Sequence, residues 1–128
     1  MDSGLGGNVD SREGGAGTVV AVGLAIALLI LLMGILSLGE AAVAAGKAAT
    51  AADLAALAAA DAARGLATGD PCQVASELAS RHGAVISSCS VLGSAFDTVQ
   101  VEVEVHTRLP WPAHGIARAG PPPVGATP

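Results

Sequence analysis

The apolar positions of this chain fall into three patterns, each with its own period. From Thr18 to Leu38 no charged residue occurs, and Leu, Ile, Val, Ala and Gly dominate. At 1.5 Å of rise per residue, such a run covers roughly 30 Å, the hydrocarbon thickness of a bilayer. It predicts a transmembrane helix over residues 18–39. From Glu40 onward the chain is mostly alanine, and Val43, Leu54, Leu57 and Leu66 are its large apolar residues. Alanine is the best helix former, and Gly46 is the one interior interruption before Gly65 and the TGD at Thr68–Asp70 supply stop signals. One helix from about Thr18 to Leu66 is expected, with Asp61 and Arg64 spaced to pair on one face. Its second half, residues 40–69, reads as an Ala-rich stalk. That half can be a solvated spacer or a flat face for close helix packing in an array.

The third pattern is strict alternation. Val99, Val101, Val103 and Val105 point one way, and Gln100, Glu102, Glu104 and His106 the other. This is a strand with one wet face, as in antiparallel sheets. AVISSCSV (84–91) reads as a partner strand joined by a turn at LGSAFD, with Val85, Ser87, Cys89 and Val91 on a common face. Ahead of it, Asp70-Pro71 fits an N-cap and first helical position. CQVASELASRHG then forms a short helix with Val74, Ala75 and Leu78 on one face and Gly83 as its stop. The fold class is therefore α+β. A long N-terminal transmembrane and stalk helix is followed by a short second helix and a C-terminal antiparallel hairpin or small sheet. Residues 1–17 read as a flexible lead, 70–109 as a small domain, and 110–128 as a Pro/Gly-rich, disordered tail whose prolines rule out helix or central strand. Trp111, between two of those prolines, is placed beside the sheet or near a lipid surface.

Composition narrows the chemistry. The chain has one Phe, one Trp and no Tyr, so the aromatic area that builds most pockets and hot spots is missing. Net charge is −5 and the six basic residues are spread singly, unlike the basic stripe that nucleic acid requires. Two cysteines, Cys72 and Cys89, form an even pair after the apolar run. A bridge between the short helix and the first strand would close a loop of about 17 residues, worth roughly 3 kcal/mol in the chain-entropy model. No CxxC points to redox work, and no ligand-spaced histidine points to zinc. Arg12 and Lys47 give almost no charge bias across the span. Paired cysteines belong to an oxidising compartment, so the expected orientation is N-terminus cytoplasmic, C-terminus extracytoplasmic, in a single-pass cell-membrane protein.

Within the span Gly17, Ala21 and Ala25 recur every four residues, a strip that lets membrane helices approach closely; ordinary Gly/Ala content accounts for it equally well. Glu102 and Glu104, about 7 Å apart on one strand face, invite an acid/base or metal reading, but a solvated strand face explains them. His82, His106 and His114 have no recognisable nucleophile or ligand partner. The glycine clusters at Gly4–Gly7 and Gly14–Gly17 neither follow a strand nor bring a phosphate-binding lysine. No catalytic constellation, cofactor site or metal site is read from the sequence, and the chain is expected not to be an enzyme.

Taken together, REGGAGTVVAVGLAIALLILLMG, KAATAADLAALAAADAA, PCQVASELASRHGA with the second cysteine at SC, VEVEV, and ARAGP resemble the small TadE-like proteins of actinobacteria. Those are encoded beside helicase and secretion genes in Flp, or tight-adherence, pilus systems. The resemblance covers about residues 11–120. It implies a pseudopilin-like envelope protein whose partners are the lipid bilayer, other small pilin-like membrane proteins, an inner-membrane secretion platform and further copies of itself. Pilin-type precursors are cut after Gly with Glu five residues on. Here Glu13 would put Asn8 before the cut, and a cut after Gly7 leaves Glu13 one place late, so Gly7 and Glu13 are an imperfect processing pair. The alternative is a secreted, disulfide-stapled binding module released by signal cleavage near Ala45, within the small-residue run AAVAAGKAA.

Overall fold

The computed structural model describes residues 3–122, with side chains described from Gly15 onward. It contains helix α1 (Ser3–Ala63), helix α2 (Pro71–Arg81) and strands β1 (Val85–Leu92), β2 (Thr98–Val105) and β3 (Ala113–Ala119). The fold is α+β. The chain divides into two compact units, Met1–Leu38 and Gly39–Pro128. The first is helix throughout its described part, and α1 begins at Ser3, where the glycine content predicted a flexible lead.

The second unit is built on a three-stranded antiparallel meander, order β1-β2-β3. β2 is its centre because its valines alternate so cleanly. Val99, Val101 and Val103 are wholly buried and Val105 nearly so. One face of the meander is wet; the other is covered by helices. Those are α2, through Ala75 and Ala79, and the second half of α1, through Ala48, Ala51, Ala52, Ala55, Ala56, Ala59 and Ala60. One face of the stretch 44–62 is thus part of the domain's core, which a wholly solvated stalk does not account for, while Ala42, Ala45 and Ala49 stay exposed. A helix surfaced with single methyl groups can lie close against a sheet, and that closeness recovers by dispersion contacts what small side chains lack in area.

The closeness is sharpest at β3. This strand lies in the stretch read as a tail, and it pairs with β2 from Val99↔Ala119 to Val105↔Ala113. Its inward residues are Ala113, Gly115, Ala117 and Ala119. At Gly115 a Cβ would overlap the carbonyl oxygen of Ala48 on α1. It would also lie 2.5 Å from that residue's carbonyl carbon and 2.9 Å from the nitrogen of Ala49. Only glycine lets the helix backbone sit there. The tail's prolines flank the strand without entering it, and β3 is an edge strand, so the objection to a central strand does not reach it. Residues 123–128, the rest of the expected tail, lie outside the described residues.

Local signals act as their chemistry demands. The Oδ1 of Asp70 accepts hydrogen bonds from the backbone nitrogens of Cys72 (3.0 Å) and Gln73 (3.2 Å), capping α2 behind Pro71. Gly83, at φ +71°, turns the chain out of that helix. Gly65, at φ +76°, follows the end of α1. In β1 the register shifts between Ile86 and Ser88. The bulge moves Ile86, and not Val85, onto the face shared with Cys89 and Val91. Ile86 packs on the core while Val85 is exposed. A bulge adds one residue to one strand and reverses the alternation behind it, so the expected common face of Val85 and Cys89 is corrected.

Candidate functional site

The apolar run comes first. Within the helical stretch Gly15–Ala63, the most apolar 18-residue window has a mean hydropathy of 3.1 and none of it is buried. Leu24, Leu28, Leu31 and Leu32 are all at least half exposed. Gly17, Ala21 and Ala25 are exposed too, and the space where a Cβ of Gly17 would stand is open. This is one candidate membrane span, with a lipid-compatible surface all round and a narrow strip of small side chains on it. The surroundings of Gly7 and Glu13, the imperfect processing pair, lie outside what is described.

The cysteines meet. Cys72, in the first turn of α2, and Cys89, in β1, form a disulfide with their Cα atoms 5.9 Å apart and a sequence separation of 17. It ties the short helix to an edge strand, beside the contacts of Ala75 and Ala79 with the core. Its place in the packing is that of a staple between two layers.

The polar residues lie on the wet face of the sheet. Glu102 stands opposite Ser88 on one side and Ile116 on the other. Glu104 faces His114, with Nδ1 3.6 Å from a carboxylate oxygen. The Nη2 of Arg118 donates to the Oε1 of Gln100 at 2.9 Å. These are cross-strand pairs of the kind that stabilise any exposed sheet face. Among the described residues no group of three His, Cys, Asp or Glu stands close enough to hold a metal ion. His82, beyond the end of α2, borders an open hollow with Gly46, Lys47 and Thr50. His106 is exposed where β2 ends.

One further feature carried little signal in the sequence. The loop from β2 to β3 folds back on the start of the second unit and, with Ala41 and Ala45, lines a hollow of about 190 Å³ through Thr107, Leu109, Trp111 and Pro112. The Thr107 hydroxyl accepts from the backbone nitrogen of Leu109 (3.2 Å) and donates to the carbonyl oxygen of Trp111 (2.7 Å). Arg108 reaches Glu40 at 3.9 Å. The Trp111 side chain itself is exposed. A threonine four residues before a proline-flanked tryptophan was the available clue, and it says nothing of where the loop packs.

No family model, no curated protein and no solved structure matches this chain. What the chain itself offers is the exposed apolar helix and the stapled domain that follows it.

Proposed function

We propose that this chain is a non-enzymatic, single-pass envelope protein, a pseudopilin-like component of a tight-adherence-type pilus or secretion apparatus. It assembles through its N-terminal helix. The observation that carries the reading is the apolar run itself: none of its most apolar window is buried in the protein, and burial in lipid would take that surface out of water. The disulfide favours an oxidising side for the C-terminal domain, which supports an N-terminus on the cytoplasmic side. On this reading its partners are the bilayer, small pilin-like membrane proteins and a secretion platform.

Site-specific photocrosslinking in native membranes tests it. Replacing Gly17, Ala21 and Ala25 together by Leu keeps the span apolar, so insertion is retained while close helix approach is blocked. Crosslinks to a second copy, or to another small membrane protein, are expected to weaken. Crosslinking at the original level, with the variant still in the membrane fraction, would sink the assembly role.

A released binding module is the second reading, and one observation favours it. A cut near Ala45 would leave Ala48–Ala60, which supply most of the helix's share of the core, with the sheet and the disulfide. Intact masses decide between the two. A species starting near Ala45 in the culture medium, with none in membranes, selects the released module.

A further inference from the structure

We infer that the β2–β3 loop is a second membrane contact, in which Trp111 and Arg108 seat the C-terminal domain on the headgroup layer of the bilayer that α1 enters. The inference rests on the membrane-span reading above and adds a contact that reading does not require.

Covalent reach comes first. The loop borders one hollow together with Ala41 and Ala45, and Arg108 lies 3.9 Å from Glu40. Ala41 is three residues beyond Leu38, the last apolar residue of the run. Three residues extend at most about 11 Å in any conformation. The headgroup layer of one leaflet is itself about 5–8 Å deep, the difference between total and hydrocarbon thickness shared over two sides. Whatever angle the domain takes, the stretch of α1 that borders the loop's hollow starts within or just above that layer.

The chemistry of the loop suits the same place. Trp111 is an amphipathic ring held 63% exposed, and tryptophan concentrates at membrane–water boundaries because one end wants apolar surroundings and the other a hydrogen bond. Leaving it in water gains nothing for a soluble domain. Arg108, two residues before Pro110, has a side chain 91% exposed. Its only ion pair among the described residues is the loose one with Glu40. A guanidinium carries five donors, so most of them remain for lipid phosphate.

The loop is also preformed. Pro110 and Pro112 fix the backbone on either side of Trp111, and Thr107 ties both Leu109 and Trp111 through its hydroxyl. Little ordering entropy is then left to oppose insertion.

Trp111 is the only tryptophan and the chain has no tyrosine, so its fluorescence reports this loop alone. The full chain is reconstituted into vesicles of phosphatidylcholine and phosphatidylglycerol, floated, and extracted with alkaline carbonate. The expected result is a protein that floats and resists extraction. Its Trp111 emission is strongly quenched by lipid brominated high on the acyl chain, weakly by lipid brominated near the chain end, and little by acrylamide. Thr107→Val is expected to lose most of the lipid quenching with helix content unchanged, and Arg108→Glu to reduce it. A chain that floats but has Trp111 open to acrylamide and untouched by either lipid overturns the loop contact and leaves the span standing. Blue-shifted emission without lipid quenching overturns it in favour of a protein neighbour. A chain that does not float overturns both readings. Unaltered quenching in Arg108→Glu overturns the phosphate contact.

Discussion

Adding one methyl group at Gly115 should damage this domain more than its size suggests. The position is buried in β3, opposite Val103, and the new Cβ would stand 2.5 Å from the carbonyl carbon of Ala48. Ordinary carbon–carbon contact needs about 3.5 Å or more, so α1 and β3 must part by about 1 Å. Neither side has a flexible side chain to turn away, because the obstacle is helix backbone. Overpacking of this kind costs typically 1–3 kcal/mol. Against it stands a gain of roughly 0.5–1 kcal/mol from replacing glycine inside a strand. Parting the layers also loosens every alanine contact along the stripe, which adds to the cost. The expected net loss for Gly115→Ala is about 1–2 kcal/mol, and Gly115→Val should be worse. Amide hydrogen exchange of the full chain in detergent or nanodiscs, read by mass spectrometry on peptides covering residues 98–119, measures it. A loss of 1–2 kcal/mol appears as exchange about 5- to 30-fold faster in the protected amides of β2 and β3. Equal or slower exchange in Gly115→Ala would refute the reasoning, since it would mean that the strand gains more than the helix contact loses.

The same substitution at Gly46 should have the opposite sign. Its position on α1 is exposed and nothing lies within 4 Å of a new Cβ, so Gly46→Ala is expected to stabilise by about 0.5–1 kcal/mol, seen as a higher midpoint in thermal unfolding. Replacing Cys72 and Cys89 together by Ser opens a loop of 17 residues and is expected to cost roughly 3 kcal/mol. Denaturant titration checks this, and a midpoint unmoved by the double replacement or by reductant would show that α2 is held to β1 without the staple.

How legible was this fold in the sequence? The apolar helix and β2 were plain, because each follows a single rule of polarity: one uniform, the other alternating. The cap at Asp70-Pro71 and the stop at Gly83 were equally plain, since both are read within a few residues. The face of β1 was not, because the bulge between Ile86 and Ser88 is a property of the pairing with β2. β3 escaped for a different reason. Its inward positions are Ala and Gly while Ile116 points to water, so hydrophobicity carries no period there. The alternation that exists is one of size, small inward and large outward, and it has meaning only once a helix backbone is known to lie on the strand. The alanines of α1 mislead in the same way: helix propensity explains their number without revealing that one stripe of them is core. Of the candidate site, the cysteine pair was legible from their count and from the elements that carry them, and the Trp111 loop was not, because its place beside Ala41 depends on tertiary packing.

The alanine stripe has a consequence for how this protein must be studied. Of the fourteen buried residues in the core cluster among the described residues, ten are alanine and four are valine. An alanine scan, the usual survey for important side chains, cannot alter those ten at all. It would return four sensitive valines on one strand and report the helix beneath them as silent. The informative survey runs the other way, enlarging each alanine in turn to serine, valine or leucine, and the helix face that tolerates none of these is the one the sheet rests on.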